Sequence, residues 1–381
     1  MVPGNTGNGY EGFELPDLGM YSSKIRLKLS FSPTDRISFF AEYEIAPTML
    51  DIEVLSSFQL ISGMNPQGYR IMDLKDKLYP GENDQAGDFY INQNLDRFYA
   101  TISFDFADFF IGRQVISWGS SYVINPTDII SPFNFNEIDK EEKTGVDAIR
   151  VRIPIGTMDE IDMGYVFGDD PGLDKSAFFV RGKFNIFKSD ISLMILGFRE
   201  NLMLGFDLSG SVGGAGLRLE TAYVFDKLLD KDTPEDVKNN YFRLSVGVDY
   251  NFSSRLYSYL EYHYNSPGSD DSNNYLISFS KNSYIEGSVY LMGKHYISAG
   301  LTYQLHPLLP FSGFAIYNLS DNSVILSPSF EYNIKENIYI SMGAFLSAGK
   351  KMRVAENNDL IMRSEFGSYP NLIYSSFRIY F

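Results

Sequence analysis

Hydrophobic and polar residues alternate with a period of two along most of the chain. From Ser23 to Ser32, Ile25, Leu27, Leu29 and Phe31 fall on one face, and Lys24, Arg26, Lys28 and Ser30 fall on the other. From Arg36 to Ile45, Ile37, Phe39, Ala41, Tyr43 and Ile45 oppose Ser38, Glu42 and Glu44. From Arg97 to Phe104, Phe98, Ala100, Ile102 and Phe104 oppose Arg97, Tyr99, Thr101 and Ser103. The pattern returns at Ile149–Ile155, Phe178–Ile186, Phe242–Tyr250, Ile297–Leu305 and Val324–Tyr332. This period predicts β-strands with one apolar face. The runs are about ten residues long, enough to cross a bilayer at a tilt. Strands of soluble sandwiches average nearer five or six residues. Length therefore favours a barrel whose apolar face meets lipid and whose polar face meets a wet lumen.

The connections alternate too. Tight turns are expected at Pro33–Asp35, Asp105–Ala107, Gly156–Asp159, Lys188–Asp190, Gly213-Gly214, Ser253-Ser254 and Lys335-Glu336. Longer polar stretches run from Ala46 to Tyr90, Trp118 to Gly145, Asp226 to Asn240, Asn265 to Ser283 and Ala348 to Tyr369. Short turns on one side and long loops on the other are the asymmetry of outer-membrane barrels. About seventeen strands can be counted from Ser22, and bacterial single-chain barrels carry an even number. One more strand is expected, from Gly9–Gly19 or upstream of Met1. The reading is a single all-β domain over 1–381, a transmembrane antiparallel up-and-down β-barrel of about 18 strands, with 16 as the alternative. Residues 1–20 are poorly patterned, and 118–145 form one long loop. Two strands are ambiguous: Asp108–Ser117, and Ile191–Phe198, which is apolar on both faces.

Composition agrees. Aromatics make up 15% of the chain, with 31 Phe, 27 Tyr and 1 Trp, yet mean hydropathy is only -0.15. Aromatic girdles and a half-polar strand reconcile these values. No run approaches the roughly 18 apolar residues of a spanning helix, so a bilayer protein of this sequence must be a closed barrel. There is no cysteine. The opening residues Met1-Val2-Pro3-Gly4-Asn5 lack a signal peptide's apolar core, so the sequence is expected to be a mature form with an artificial Met1. The net charge of -16 repels nucleic acid. The last strand, Leu372–Phe381, alternates and ends on an aromatic residue, which resembles the sorting signal of bacterial outer-membrane β-barrels. That resemblance implies outer-membrane localisation and recognition of Phe381 by the barrel-insertion machinery, with membrane lipid and lipopolysaccharide as surroundings.

The most distinctive local sequence is Ile111–Asp147, which holds the one Trp and two X-Pro steps. A long loop here is uncommon unless functional. Two placements are open: folded into the lumen as a pore constriction, or packed on the rim with Trp118 in the aromatic girdle. The constriction candidates are Trp118, Asn125, Asp128, Glu137, Asp139, Glu141 and Glu142. The pattern Gly112-Arg113-Gln114, Trp118-Gly119, Asn125-Pro126-Thr127-Asp128 resembles one in Gram-negative porin-like proteins, including families akin to the alginate exporters. The resemblance covers about a tenth of the chain and implies an anionic saccharide or small anionic solute as cargo.

Arg26, Lys28, Arg97, Arg113, Arg150, Arg152, Arg181, Lys183 and Arg243 are candidate pore-lining cations, with Glu42 and Glu44 among the acids. Arcs of basic charge favour anions, but opposite charges on neighbouring strands, such as Lys28 and Glu42, can neutralise each other. His263, His295 and His306 show no metal-ligand spacing, and no nucleophile elbow occurs. No metal, cofactor or catalytic residue is expected. The function expected is a porin or substrate-specific channel. The alternatives are a barrel that sheathes a plug or partner protein, and a lipid or hydrophobe transporter, for which the double-sided apolar strand is the one hint.

Overall fold

The computed structural model describes residues 20–50, 68–74, 77–80, 88–132, 143–234, 236–286, 289–354 and 360–381. One 19-stranded antiparallel sheet dominates. Its long strands are β1 (Ile25–Thr34), β2 (Ile37–Leu50), β3 (Phe89–Phe104), β4 (Ala107–Gln114), β5 (Val146–Pro154), β6 (Glu160–Val166), β7 (Ala177–Ile186), β8 (Ser189–Phe198) and β9 (Asn201–Val212). They continue as β10 (Ala215–Phe225), β11 (Tyr241–Ser253), β12 (Leu256–Asn265), β13 (His295–His306), β14 (Leu309–Asn318), β15 (Ser323–Lys335), β16 (Ile338–Ala348) and β17 (Leu372–Ile379). Each pairs with the next. Two short strands, Met20–Ser22 and Lys77–Tyr79, extend the sheet along β2 and β3.

Turns of a few residues close the hairpins at one end, where Gly213 and Gly214 take φ of +59° and +86°. That is the left-handed pair a two-residue hairpin loop demands. Long connections gather at the other end. β2 runs on to Leu50 and β3 starts at Phe89, so the Ala46–Tyr90 stretch is partly strand. Ala46 pairs with Asn92 and Thr48 with Tyr90, because backbone ladders form on polar residues as readily as on apolar ones. The 266–294 connection carries two short helical turns, Tyr275–Ser278 and Asn282–Ile285.

The apolar faces point outward. Ile25, Leu27, Leu29 and Phe31 are 55%, 60%, 67% and 59% exposed. The same belt continues through Phe98, Ile149, Val180, Leu193, Val246, Leu301, Phe330 and Ile373. Leaving such side chains in water forfeits about 1.5–3 kcal/mol each, so this surface is built for hydrocarbon. With seventeen antiparallel neighbours in sequence, β1 and β17 run in the same direction, and no backbone pairing joins them among the described residues. An intervening strand would restore antiparallel closure. Gly9–Gly19, where the sequence suggests one, lies outside the described residues.

The buried apolar groups are inside, at the long-loop end. Ile116, Trp118, Ile129 and Ile130 pack on inward residues Phe179, Met194, Leu196, Phe198 and Val224. Ile124, Leu291 and Phe366 pack on Tyr296, Ile316, Ile325 and Phe345. β8 is apolar on both faces for this reason: its outer face meets the belt and its inner face seats a chain segment. The apolar inner stripe, the hint of a hydrophobe path, is therefore covered by the protein itself.

Candidate functional site: the lumen and its inward segment

The segment from Val115 to Pro132 leaves the top of β4 and runs across the interior. Gly112 (φ +119°) bends the end of β4, and a side chain there would collide with the Phe98 carbonyl. Gly119 (φ +106°) turns the segment back, and a Cβ there would strike the Asn125 side chain. Only glycine adopts this backbone without strain. Two glycines of the sequence motif thus fix a path, and Asn125 packs against one of them.

Wall carboxylates hold the segment. Glu220 of β10 accepts from Thr127 N–H at 2.8 Å, Thr127 Oγ1 at 2.7 Å, Ser121 N–H at 3.2 Å and Ser121 Oγ at 2.8 Å. Glu261 of β12 accepts from the Tyr122 and Ile124 amides at 2.6 Å and 3.1 Å. Asp207 of β9 accepts from Ser120 N–H at 3.0 Å and Ser120 Oγ at 2.5 Å. Backbone donors aimed at carboxylates make charge-assisted bonds, about twice as strong as neutral ones. Glu220 and Glu261 are only 0% and 1% exposed, so these bonds are shielded from water.

Side chains complete the seat. Trp118 donates from Nε1 to Asp162 at 3.2 Å and meets the Phe179 ring edge-on at 4.6 Å. Arg150 forks onto the same carboxylate at 2.8 Å and 2.6 Å. Arg218 donates to the Ser120 carbonyl at 2.5 Å and covers the Tyr122 ring at 4.1 Å, while Tyr122 stacks on Tyr259. Asp128 pairs with Lys143 and accepts from Ser117. Burial raises the Asp128 carboxyl above its ordinary pKa, against the opposing pull of Lys143.

The predicted cations sort into two groups. Arg26 reaches Glu42 at 3.2 Å and Glu44 at 2.9 Å; Lys28 and Arg97 reach Glu42 at 3.6 Å and 3.4 Å. Arg152 pairs with Glu160 at 2.6 Å, Arg181 bonds Ser192 at 2.8 Å, and Lys183 pairs with Asp190 at 2.8 Å. These form an arc on β1, β3, β5 and β7. Lys28, Arg152 and Lys183 keep the most exposed side chains, at 48%, 41% and 35%. Arg113 and Arg243 are buried, at 5% and 3% exposed, and offer no charge to open lumen, although Arg243 keeps the inward face of β11. Arg113 is locked between Asp147, Asp73 and the Leu95 and Met72 carbonyls. Arg243 lies behind the inward segment, toward the Pro126 carbonyl. Glu137, Asp139, Glu141 and Glu142 lie outside the described residues.

Asp207, Glu220 and Glu261 are not among the sequence candidates. An acid at an inward strand position resembles any wet wall residue until a loop is known to reach it. No group of three metal-ligating side chains occurs among the described residues. His263 is buried against Ser245 at 2.8 Å, and His295 bonds Tyr262 at 2.8 Å.

No family model matches the chain, and no curated protein matches it. Solved structures do. OccK5 (OpdH) of Pseudomonas aeruginosa superposes with a TM-score of 0.55 at 10% identity, covering 97% of this chain and 94% of that one. OccAB3 of Acinetobacter baumannii gives 0.52 at 11%, covering 93% and 92%. OccK2 (OpdF) of Pseudomonas aeruginosa, solved in complex with glucuronate, gives 0.51 at 10%, covering 94% and 92%. The fold is that of the outer-membrane porin barrels. The resemblance to alginate exporters gains no support from these structures.

Proposed function

We propose that the protein is a substrate-selective diffusion channel of a bacterial outer membrane, passing small polar or anionic solutes. The observation that carries this reading is the inward segment seated on Asp207, Glu220 and Glu261 beside an arc of basic side chains. The segment narrows the lumen, and Lys28, Arg152 and Lys183, each paired with a wall carboxylate, keep a third or more of the side chain open to a passing solute. Rings and arcs of this sign favour anions. The fold neighbour OccK2 was solved with glucuronate, which accords with a carboxylate-bearing cargo. The barrel's own segment occupies the upper lumen, which leaves less room for a sheathed partner protein. Outer-membrane lipid is the natural partner of the outward belt.

Planar-bilayer recording in a KCl gradient tests the reading. A reversal potential on the Cl⁻ side is expected. The double variant Arg152→Gln/Lys183→Gln should move it toward cation preference. An ideal K⁺-side potential in the wild type, or no shift in the variant, would remove these residues from the filter. Arg150 is the poorer choice for this test, because its loss strands the buried Asp162 carboxylate under Trp118.

A further inference from the structure

The lumen has two chemically different walls. Across β1, β2 and β3 the register row is Lys28, Glu42, Arg97, and across β5, β6 and β7 it is Arg152, Asp162, Arg181. Across β11 to β15, near the short-turn end, the corresponding row is Asn251, Tyr257, Thr302, Ser312 and Ser329. It carries no charge. These residues share the inward face of Asp249, Glu261 and Ser298 by strict alternation.

A cavity of about 250 Å³ opens beside this uncharged row, lined by Asn251, Tyr257, Thr302, Gln304 and the turn residue Arg255, among others. Arg255 makes no ion pair among the described residues, whereas Arg26, Arg97, Arg150 and Arg152 are each committed to a carboxylate. Hydroxyl and amide side chains both donate and accept hydrogen bonds, while Lys and Arg only donate. A wall of the first kind matches a solute rich in hydroxyls. A free guanidinium at its edge matches a carboxylate.

We propose that this pocket is an exit subsite for a polyhydroxylated carboxylate, a sugar-acid-like solute. Its hydroxyls rest on Asn251, Thr302 and Gln304, and its carboxylate lies toward Arg255. The proposal rests on the channel reading above and narrows its substrate class. The basic arc selects for charge, and the opposite wall selects among anions for hydroxyl content.

Single-channel recording separates the possibilities. The probes are gluconate, hexanoate of the same carbon count without hydroxyls, and uncharged glucose, each added on the short-turn side. Gluconate should interrupt the current for longer than either of the others. In Thr302→Val/Gln304→Leu the gluconate interruptions should shorten about three-fold or more, as expected for lost hydrogen bonds. Arg255→Gln should shorten them too, while the reversal potential in KCl stays at the wild-type value and certifies a folded pore. Equal interruptions by hexanoate and gluconate, or unchanged gluconate interruptions in both variants, would overturn the subsite. Failure of the channel reading looks different: no ion conductance at all.

Discussion

Trp118 and Arg150 share one carboxylate, that of Asp162, which is wholly buried between the inward segment and the wall. The indole supplies one hydrogen bond and the guanidinium two. The first prediction follows from that sharing. Trp118→Phe keeps the packing on Phe179 and loses one bond, costing about 1–3 kcal/mol. Trp118→Ala loses the ring as well, for about 3–5 kcal/mol. Single-channel conductance and current noise should rise in that order, wild type, Phe, Ala. Equal traces from all three would mean that the segment does not limit flow.

Glu220→Gln should loosen the segment more than its small change in shape suggests. Both carboxylate oxygens accept bonds from the segment, and an amide can offer only one oxygen to those donors. Hydrogen exchange at the Ser121 and Thr127 amides, which donate to Glu220, should accelerate, and conductance should increase. Glu261→Gln should release the Tyr122 and Ile124 amides specifically. Protection that stays at the wild-type level in both variants would rule out this anchoring.

A separate latch sits at the outer mouth. Glu365, in the connection between β16 and β17, accepts from Tyr296 Oη at 2.5 Å, Asn318 Nδ2 at 2.8 Å and the Met292 amide at 3.1 Å. Its own amide donates to Asp321 at 2.6 Å. Burial pushes its carboxyl up to about 7, with the Asp321 charge adding to the rise. A raised acid pKa makes the closed latch favour the protonated form. Its contribution is full below about 4.5 and is lost as pH rises through about 7, on the order of 3 kcal/mol in all. Proteolysis within 349–371 should therefore increase from about pH 5 to about pH 8. Glu365→Gln should be nearly flat over that window, and a wild type equally flat would refute the latch.

The outward belt makes the last prediction. Leu27→Arg places a charge on the lipid face and should cost about 2–4 kcal/mol near the bilayer midplane. Lys28→Arg, one residue on, faces the lumen and should cost little. Unfolding of vesicle-embedded protein by denaturant measures both. Comparable losses at the two positions would reverse the assignment of inside and outside.

Much of this architecture was legible in the sequence, for a physical reason. A strand's side chains alternate between two faces, so Ile25, Leu27 and Leu29 declare lipid while Arg26 and Lys28 declare water. The pairing of Lys28 with Glu42 was legible too, because adjacent strands put facing side chains within reach. The seat of the inward segment was not. Thr127 meets a carboxylate 93 residues later, and Tyr122 meets one 139 residues later. Nothing local marks such contacts. Arg113 was misleading for a related reason: its partners Asp73 and Met72 come from a connection that periodicity does not describe. The apolar inner face of β8 was visible as an anomaly, and its cause appears only once Ile116, Trp118 and Ile130 are seen lying on it.

Those long spans bear on assembly. The segment between β4 and β5 can dock only after β9, β10 and β12 have taken their places around it, since they carry its acceptors. Contacts so distant along the chain form late. During biogenesis the lumen is thus wider before β12 is in place than after the segment has docked on it. A protein stalled partway would leak more than the finished one.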